Sequence, residues 1–379
     1  QNGRSEDIAV TYVNHYRPQT DTLLRLIAQI YKQGESNPIH VLSSPHNKEF
    51  TALVTHDIDY KQSLLNILEY AQFEHAQEIP ATYFIQTKYV SDYYETQFFT
   101  ATSQPIIEEL VRLGMEVASH TVAHSRVFNK MPLGTGKETY PRYQPYVRSF
   151  DVVDNASIAG ELRVSRFLLE HLSGQDVSSF RPGHLSLPAS LPQMLEATDY
   201  RFSSSITANQ ALTHLPYQMM VGREYRTESK IFEFPVTIED EKGRLLDRLD
   251  EAIAVSNQIS RHGGLVNILI HTDVTGQKLA FEQQYLAEFK DRAWFTSLST
   301  YGEWWQTRDR LLIDVEEPSQ SGRVISLRAE QNIDGLSLSI PPAWSLEPEN
   351  VGVRQEGTTL IFEEFQGLKR VNISRSPSP

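Results

Sequence analysis

Two histidines four residues apart lie in the segment Ser-His-Thr-Val-Ala-His at positions 119–124. His120 and His124 would point the same way if a helix began after Ser119, because residues i and i+4 share one helix face. Two converging imidazoles commonly start a divalent metal site. The same spacing also arises by chance on solvated helices, so the segment by itself leaves both interpretations open.

Two carboxylates, Asp57 and Asp59, follow an apolar run in the segment Thr-His-Asp-Ile-Asp. Because the side chains of an extended segment repeat every second residue, both carboxylates would lie on one side. One could then bind a metal while the other faces the attacking water. The alternative is structural, with Asp59 as the N-cap of the following helix. His56 is expected to pack or to orient its neighbours rather than to bind the metal.

An arginine and another histidine follow two further apolar runs. Arg181 precedes Pro182-Gly183 and could hold an aspartate ionised through a charge-assisted pair, or form an ordinary surface salt bridge. His271 ends the run Leu-Val-Asn-Ile-Leu-Ile, where a titratable group is costly unless it is partnered or used. A hydrogen-bonded core histidine is the alternative.

Strands and helices alternate from Phe50 onward, and these elements must position the four motifs. Strands are predicted at 51–55, 81–86, 115–119, 178–181, 200–205, 231–236, 265–270 and 295–298, with helices at 62–75, 104–114, 156–173, 191–198, 245–261 and 279–292. The alternation predicts parallel βα units, and about seven of them favour a distorted α/β barrel. In such barrels catalytic groups gather at the carboxyl ends of the strands, where all four motifs fall.

The chain is predicted to have three parts. Residues 1–49 form an N-terminal lead-in with a helix at 20–32, and residues 50–309 form the barrel. Residues 310–379 contain short predicted strands without helices between them, punctuated by Gly, Pro, Asn and Glu. This pattern of short strands and turns predicts a small all-β sandwich as an accessory domain, ending in a frayed tail at 374–379.

The composition restricts the classes of function. The net charge of -13, with no basic block, argues against a nucleic-acid partner. The chain has no cysteine, so a metal must use histidine and carboxylate ligands. The sequence has no apolar run of about 18 residues, so no membrane-spanning helix is expected.

Taken in order and type, Thr55–Asp59, His120–His124, Phe180–Gly183 and Leu269–His271 resemble the motifs of the polysaccharide deacetylases. These are the NodB-homology proteins of carbohydrate esterase family 4. The resemblance covers roughly residues 50–300, and the family fold is a distorted (β/α) barrel. It implies that Asp59, His120 and His124 hold one divalent ion, with zinc preferred and cobalt or nickel as alternatives. It also implies that Asp57 is the general base, Arg181 its partner and His271 the general acid.

Three features depart from the family pattern. Ile58 separates aspartates that are more commonly adjacent. The aspartate that usually supports the acid histidine has no match in residues 202–205, which leaves Asp273 or Asp199 as substitutes. The turn after Arg181 also differs, so the backbone donor to an oxyanion is either Gly183 or His184, and both are predicted substrate contacts.

Aromatic side chains are further candidates for binding sugar. Tyr140, Tyr143 and Tyr146 lie in a proline-containing insertion after the histidine pair, and they are predicted to contact substrate because aromatic rings suit the C–H faces of sugars. Trp304 and Trp305 could do the same, although packing in the core is favoured for them.

The expected activity is metal-dependent removal of N-acetyl groups from an amino-sugar polysaccharide with release of acetate. The partner would be an acetylated glycan, and the location extracytoplasmic. Two alternatives remain, an O-acetyl esterase of the xylan type and a catalytically silent carbohydrate-binding or scaffold protein. The identity of the glycan and the oligomeric state are not predicted.

Overall fold

A computed structural model of the protein describes residues 18–222, 227–317, 319 and 321–375. The helices are α1 (Gln19–Gly34), α2 (Lys61–Ala76), α3 (Gln104–Arg112), α4 (Ile158–Ser173), α5 (Leu191–Ala197), α6 (Ala208–Ala211), α7 (Leu249–Ser260), α8 (Gly276–Phe289) and α9 (Leu298–Asp309). The strands of the first two thirds are β1 (His40–Val41), β2 (Phe50–Ile58), β3 (Thr82–Ile85), β4 (Glu116–Ser119), β5 (Tyr146–Ser149), β6 (Val152–Asp154), β7 (Ser179–Phe180), β8 (Phe202–Ser203), β9 (Tyr217–Val221), β10 (Thr227–Glu233), β11 (Leu265–His271) and β12 (Ala293–Phe295). Those that follow α9 are β13 (Leu312–Glu316), β14 (Gly322–Ile333), β15 (Ser337–Ser339), β16 (Trp344–Leu346), β17 (Val353–Glu356), β18 (Thr359–Phe362) and β19 (Phe365–Arg375).

The central sheet has the strand order β11-β2-β3-β4-β7-β8-β10-β9, with β12 also paired to β2. All its strand pairs are parallel except β10 with β9. The sheet curls until the segment after β10 meets β11, where Ile238 pairs with Ile268. This curled α/β sheet confirms the predicted distorted barrel.

Register brings the ends of the central strands together at one edge. His271 lies opposite Asp57 in the β11–β2 pair. Ser119 lies opposite Ile85 on one side and Phe180 on the other. The residues that follow these positions, including Asp59, His120 and Arg181, therefore converge at the carboxyl ends of the strands.

Helix boundaries agree with the local sequence signals at several ends. The hydroxyl of Ser157 accepts from the backbone N–H of Gly160 at the start of α4. Gly174 ends that helix at φ 67°, a left-handed conformation that glycine adopts without steric cost. The predicted helix at 245–261 is instead a 3₁₀ turn at Leu245–Arg248 followed by α7.

The strands after α9 form two four-stranded sheets, β1-β15-β18-β17 and β13-β14-β19-β16. They agree with a C-terminal all-β unit, although β1 comes from the predicted lead-in. Their buried side chains, such as Leu338 and Val371, share one apolar cluster with Phe84 of the barrel and with Trp304 and Trp305 of α9. The three-part domain division remains a prediction. Residues 1–17 of the lead-in and 376–379 of the predicted tail lie outside the described residues, and Ser374 and Arg375 belong to β19.

Within the described ranges, no helix is long and apolar enough to cross a membrane.

Candidate active site

The carboxylates of Asp57 and Asp59 lie at the end of β2 and are 3% and 5% exposed. The N-cap of α2 is Tyr60, which makes no side-chain cap hydrogen bond, so Asp59 does not cap that helix. Its oxygens instead face two histidines. Oδ1 of Asp59 lies 3.1 Å from Nε2 of His120, and Oδ2 lies 3.3 Å from Nε2 of His124.

His120 and His124 converge through a loop rather than through the helix that their spacing suggested. Thr121 and His124 have φ of 67° and 51°, a costly conformation for residues other than glycine and one that the surroundings must enforce. A buried carboxylate enforces it here, because Oε2 of Glu161 accepts the backbone N–H groups of Val122 and Ala123, both at 2.8 Å. The loop thus presents both imidazoles to Asp59.

Asp59, His120 and His124 fit a divalent metal ion. Their ligand atoms lie within 4.8 Å of one another. Oδ1 of Asp59 and Nε2 of each histidine are buried and have no hydrogen-bond partner, which is costly unless something else binds them. The other ring nitrogen of His120, Nδ1, donates to the carbonyl of Arg181 at 2.9 Å, which directs the lone pair of Nε2 toward Asp59.

The protonation states of His124 and Asp59 agree with this ligand set. Burial lowers the pKa of His124 well below its usual value, so the imidazole is neutral and can donate a lone pair. Burial alone would raise the pKa of Asp59, but the neighbouring His124 and His271 outweigh it and lower the pKa well below its usual value. A neutral imidazole and an ionised carboxylate are the forms that bind zinc.

Arg181 is fully buried and holds Asp57 in place. Its Nη1 donates to Oδ1 of Asp57 at 2.7 Å, and its Nη2 donates to the hydroxyls of Thr55 at 3.0 Å and Ser204 at 2.9 Å. The guanidinium also lies over the ring of Phe84, 4.2 Å from its centroid. The surface salt bridge considered for Arg181 is therefore excluded.

His271 lies across the site from the histidine pair. Its Nε2 is 3.3 Å from Oδ2 of Asp59, and its Nδ1 is 2.6 Å from Oδ1 of Asp240. Asp240 also accepts the backbone N–H of His271 at 2.8 Å and binds Lys278 at 2.7 Å. This contact corrects the sequence-based expectation, because the carboxylate that supports His271 is Asp240 and not Asp273 or Asp199. Asp273 binds Lys278, and Asp199 lies beside Arg166 with most of its side chain exposed.

The turn after Arg181 closes one side of the site. A Cβ atom on Gly183 would overlap the ring of His124, so only glycine fits at this position. His184 has a φ of 56° and is exposed, with its ring centroid 4.4 Å from that of His124. Both residues lie beside the metal ligands, and their predicted contact with substrate remains a prediction.

Residues 45–203 match the model of a family described as polysaccharide deacetylase. This part of the barrel is similar to the polysaccharide deacetylases. This match confirms the resemblance found in the sequence, and it includes Asp57, Asp59, His120, His124 and Arg181. His271 and Asp240 lie outside the matched range and are placed in the site by the strand pairing of β11 and by their own contacts.

Several solved structures are similar to this chain. A candidate polysaccharide deacetylase from Mycobacterium smegmatis is 16% identical with a TM-score of 0.54, over 74% of this chain and 98% of its own. One from Pseudomonas aeruginosa PAO1 is 11% identical with a TM-score of 0.48, over 70% and 93%. The Xyl-CE4 domain of a multidomain xylanase from the hindgut metagenome of Trinervitermes trinervoides is 15% identical with a TM-score of 0.40, over 67% and 90%. At these identities the first of them shows a shared fold and nothing about the substrate. None of the curated proteins compared with the chain matches it.

One of the three tyrosines predicted to contact sugar is part of the barrel core. Tyr143 is 6% exposed, and its hydroxyl donates to Glu161 at 2.7 Å, so the prediction is wrong for this residue. Its ring packs so closely on Gly160 that a Cβ there would overlap it. Tyr140 and Tyr146 are 46% and 42% exposed, and their contact with substrate remains a prediction.

Other sequence interpretations concern residues behind the site. Trp304 and Trp305 are buried against the β-sheets, as the packing interpretation predicted. His56 is fully buried, with Nε2 2.7 Å from Glu74, and it lies outside the group of ligand atoms on Asp59, His120 and His124, which agrees with packing. Sequence reasoning missed Asp240 because no apolar run ends there. The segment Ile-Glu-Asp-Glu at 238–241 offered an acidic signal, but nothing in it singled out the middle carboxylate.

Proposed function

We propose that the protein is a metal-dependent hydrolase that removes N-acetyl groups from an amino-sugar polysaccharide and releases acetate. The match of residues 45–203 to the polysaccharide deacetylase model supports a deacetylase of some polysaccharide. The observation that carries the proposal is the set of three unpartnered buried atoms on Asp59, His120 and His124, flanked by Asp57 and His271.

A divalent ion, with zinc preferred, would be held by Asp59, His120 and His124 and would supply Lewis acidity to the acetyl carbonyl and to the attacking water. Asp57 accepts the proton that the water loses as its oxygen bonds to the carbonyl carbon. Arg181 binds Oδ1 of Asp57, which leaves Oδ2 to receive that proton. A backbone N–H of Gly183 or His184 stabilises the oxyanion.

His271 protonates the nitrogen as the C–N bond breaks, because an amine must not leave as an amide anion. Asp240 fixes the imidazole with a hydrogen bond to Nδ1, so that Nε2 faces the site. Acetate and a free amino sugar result. Tyr140 and Tyr146, which are both exposed, contact the glycan in this proposal, and the location that suits such a substrate is extracytoplasmic.

Acetate release from N-acetylglucosamine oligomers and from acetylated xylan tests the proposal and its alternatives together. We expect acetate release from the amino-sugar oligomers. His271→Ala should lower that release by a larger factor than it lowers acetate release from xylan. An amide nitrogen needs the proton more than an ester oxygen does. Release from xylan alone would make the protein an O-acetyl esterase, and glycan binding without release by metal-loaded protein would make it a scaffold.

A further inference from the structure

A cleft of about 750 Å³ lies at the opposite end of the barrel from the candidate active site. Its walls come from α1, from residues 40–49 before β2, from the turn at Ser260–Gly263 before β11, and from Ser339 of β15. The active-site carboxylates follow the other end of β2, which has nine residues. At about 3.3 Å per residue the two sites are therefore more than about 20 Å apart.

The cleft is rich in positive charge, although the chain has a net charge of -13. Five cationic side chains line it, Arg25, Lys32, Lys48, Arg261 and Arg308. Only two carboxylates line it, and both have partners outside the group of five cations, although Asp21 also lies close to Arg25. Asp21 accepts from the hydroxyl of Thr213 and the backbone N–H of His214, and Glu49 binds Arg292 through both oxygens.

Arg308 is held rigidly in the wall of the cleft. Its Nε and Nη2 donate to the carbonyls of Leu42 and Val41 at 2.9 and 3.3 Å, and its guanidinium lies 4.7 Å from the ring centroid of Trp305. These contacts are with uncharged groups, so its positive charge is not neutralised by them. A fixed guanidinium is well suited to bind an oxyanion.

Two histidines on the cleft wall lie near these cations, and both have a lowered pKa. Burial lowers the pKa of His40 to about 4, with further lowering by Lys32 and Arg308. Burial, together with Arg25 and Arg261, also lowers the pKa of His262. Nδ1 of His40 is buried without a hydrogen-bond partner. The cleft therefore combines clustered cations with an unsatisfied polar atom.

We propose that this cleft binds an oxyanion, a phosphate or carboxylate group carried by a small molecule or by a short glycan segment. The volume of the cleft suits a few such groups, and the acidic surface of the remaining chain disfavours a long polyanion such as nucleic acid. The site goes beyond deacetylation, since none of its lining residues belongs to the candidate active site.

Calorimetric titration of the full-length, metal-loaded protein at low salt tests this proposal, with inorganic phosphate, pyrophosphate and trigalacturonate as probes. We expect binding that weakens as salt is added, and at least about a tenfold loss of affinity in Lys32→Glu/Arg261→Glu, because each charge-assisted contact contributes on the order of tenfold. Both side chains are exposed, so folding is retained. The control Lys230→Glu/Lys290→Glu makes the same charge change at exposed positions outside the cleft and should stay within about twofold of wild type.

The probes separate the two sources of the anion. Tighter binding of trigalacturonate supports a carboxylated glycan, and tighter binding of pyrophosphate supports a phosphorylated ligand. Absence of binding by all three probes would overturn the proposal, as would equal affinity in Lys32→Glu/Arg261→Glu. A signal that survives this variant but disappears in His120→Ala would place the anion at the metal site and would overturn it too.

Discussion

Asp240 binds His271 twice, through the imidazole Nδ1 at 2.6 Å and through the backbone N–H at 2.8 Å. A carboxylate can only accept, so Nδ1 carries a proton and the reactive nitrogen is Nε2. Burial alone would raise the pKa of Asp240, but His271 and Lys278 outweigh it and hold the pKa at about 2. Asp240 is therefore ionised at neutral pH.

Replacing Asp240 should change the pH dependence of the proposed acid. Burial alone would lower the pKa of His271, but Asp240 and Asp59 outweigh it and raise the pKa well above its usual value. Asp240→Asn removes part of that stabilisation, so the pKa of His271 falls. Because a general acid acts in its protonated form, the alkaline limb of the pH–rate profile for acetate release should move to lower pH.

Asp273→Asn is the matched control for this prediction, since Asp273 contacts Lys278 of the same cluster but not His271. We expect its profile to follow that of wild type closely. An equal shift in both variants would show that the effect comes from the cluster charge and not from the contact between Asp240 and His271.

Gly183→Ala should weaken metal binding without touching a metal ligand. The added Cβ would overlap the ring of His124, and the imidazole must move or the turn must open. Overpacking of this kind costs about 1–3 kcal/mol, which corresponds to roughly a 5- to 150-fold loss of metal affinity. Metal titration with a competing chelator measures it. Gly276→Ala is the control, because no atom lies within 4 Å of the added Cβ, and an equal loss there would contradict this account.

The barrel and the C-terminal sheets should unfold together. Trp304 of α9 contacts the apolar cluster shared by both, and its indole N–H donates to the carbonyl of Asp334 at 3.0 Å. Trp304→Ala is expected to lower the free energy of unfolding by about 3–5 kcal/mol in a single cooperative transition. Leu312→Ala, at a site 65% exposed, should change it by less than about 0.5 kcal/mol. Two separate transitions in thermal unfolding of the wild type would show that the sheets fold on their own.

The positions of the four motifs could be predicted because each follows a strand whose apolar run is visible in the sequence. The alternation of strands and helices implied that these strand ends share one edge of the sheet, and the parallel register of β11 and β2 brings Asp57 opposite His271 there. The histidine loop could not be predicted in this way, because its conformation depends on Glu161, which lies 37 residues beyond His124 in the chain. Spacing alone favoured a helix there.

Asp240 and Tyr143 show that contacts between distant segments leave no signal in the local sequence. Asp240 reaches His271 only because Ile238 pairs with Ile268 where the sheet curls, a contact between distant segments that has no local signal. Tyr143 has the aromatic ring expected of a sugar contact, yet the ring lies in a buried pocket formed by Glu161 and Gly160. Side chains placed by one strand were predictable, and those placed by tertiary packing were not.

The two aspartates of β2 should separate the base from the metal ligand. Asp57→Asn keeps the shape of the side chain but cannot accept the proton, so turnover should fall roughly 10²–10⁴-fold while metal content is unchanged. Asp59→Ala removes one of the three ligands and should lose the metal, and excess zinc should restore part of the activity. Metal loss in Asp57→Asn with full occupancy in Asp59→Ala would reverse the two roles.

Metal content measured alongside acetate release, in wild type and in His120→Ala, is the sharpest test of the proposed metal-dependent deacetylation. Wild type should hold about one divalent ion per chain and release acetate from N-acetylglucosamine oligomers, and His120→Ala should do neither, because two remaining ligands chelate poorly. His184→Ala serves as the control, since His184 lies against His124 but outside the group of ligand atoms, and it should keep the metal. Full metal occupancy and undiminished acetate release in His120→Ala would contradict the account.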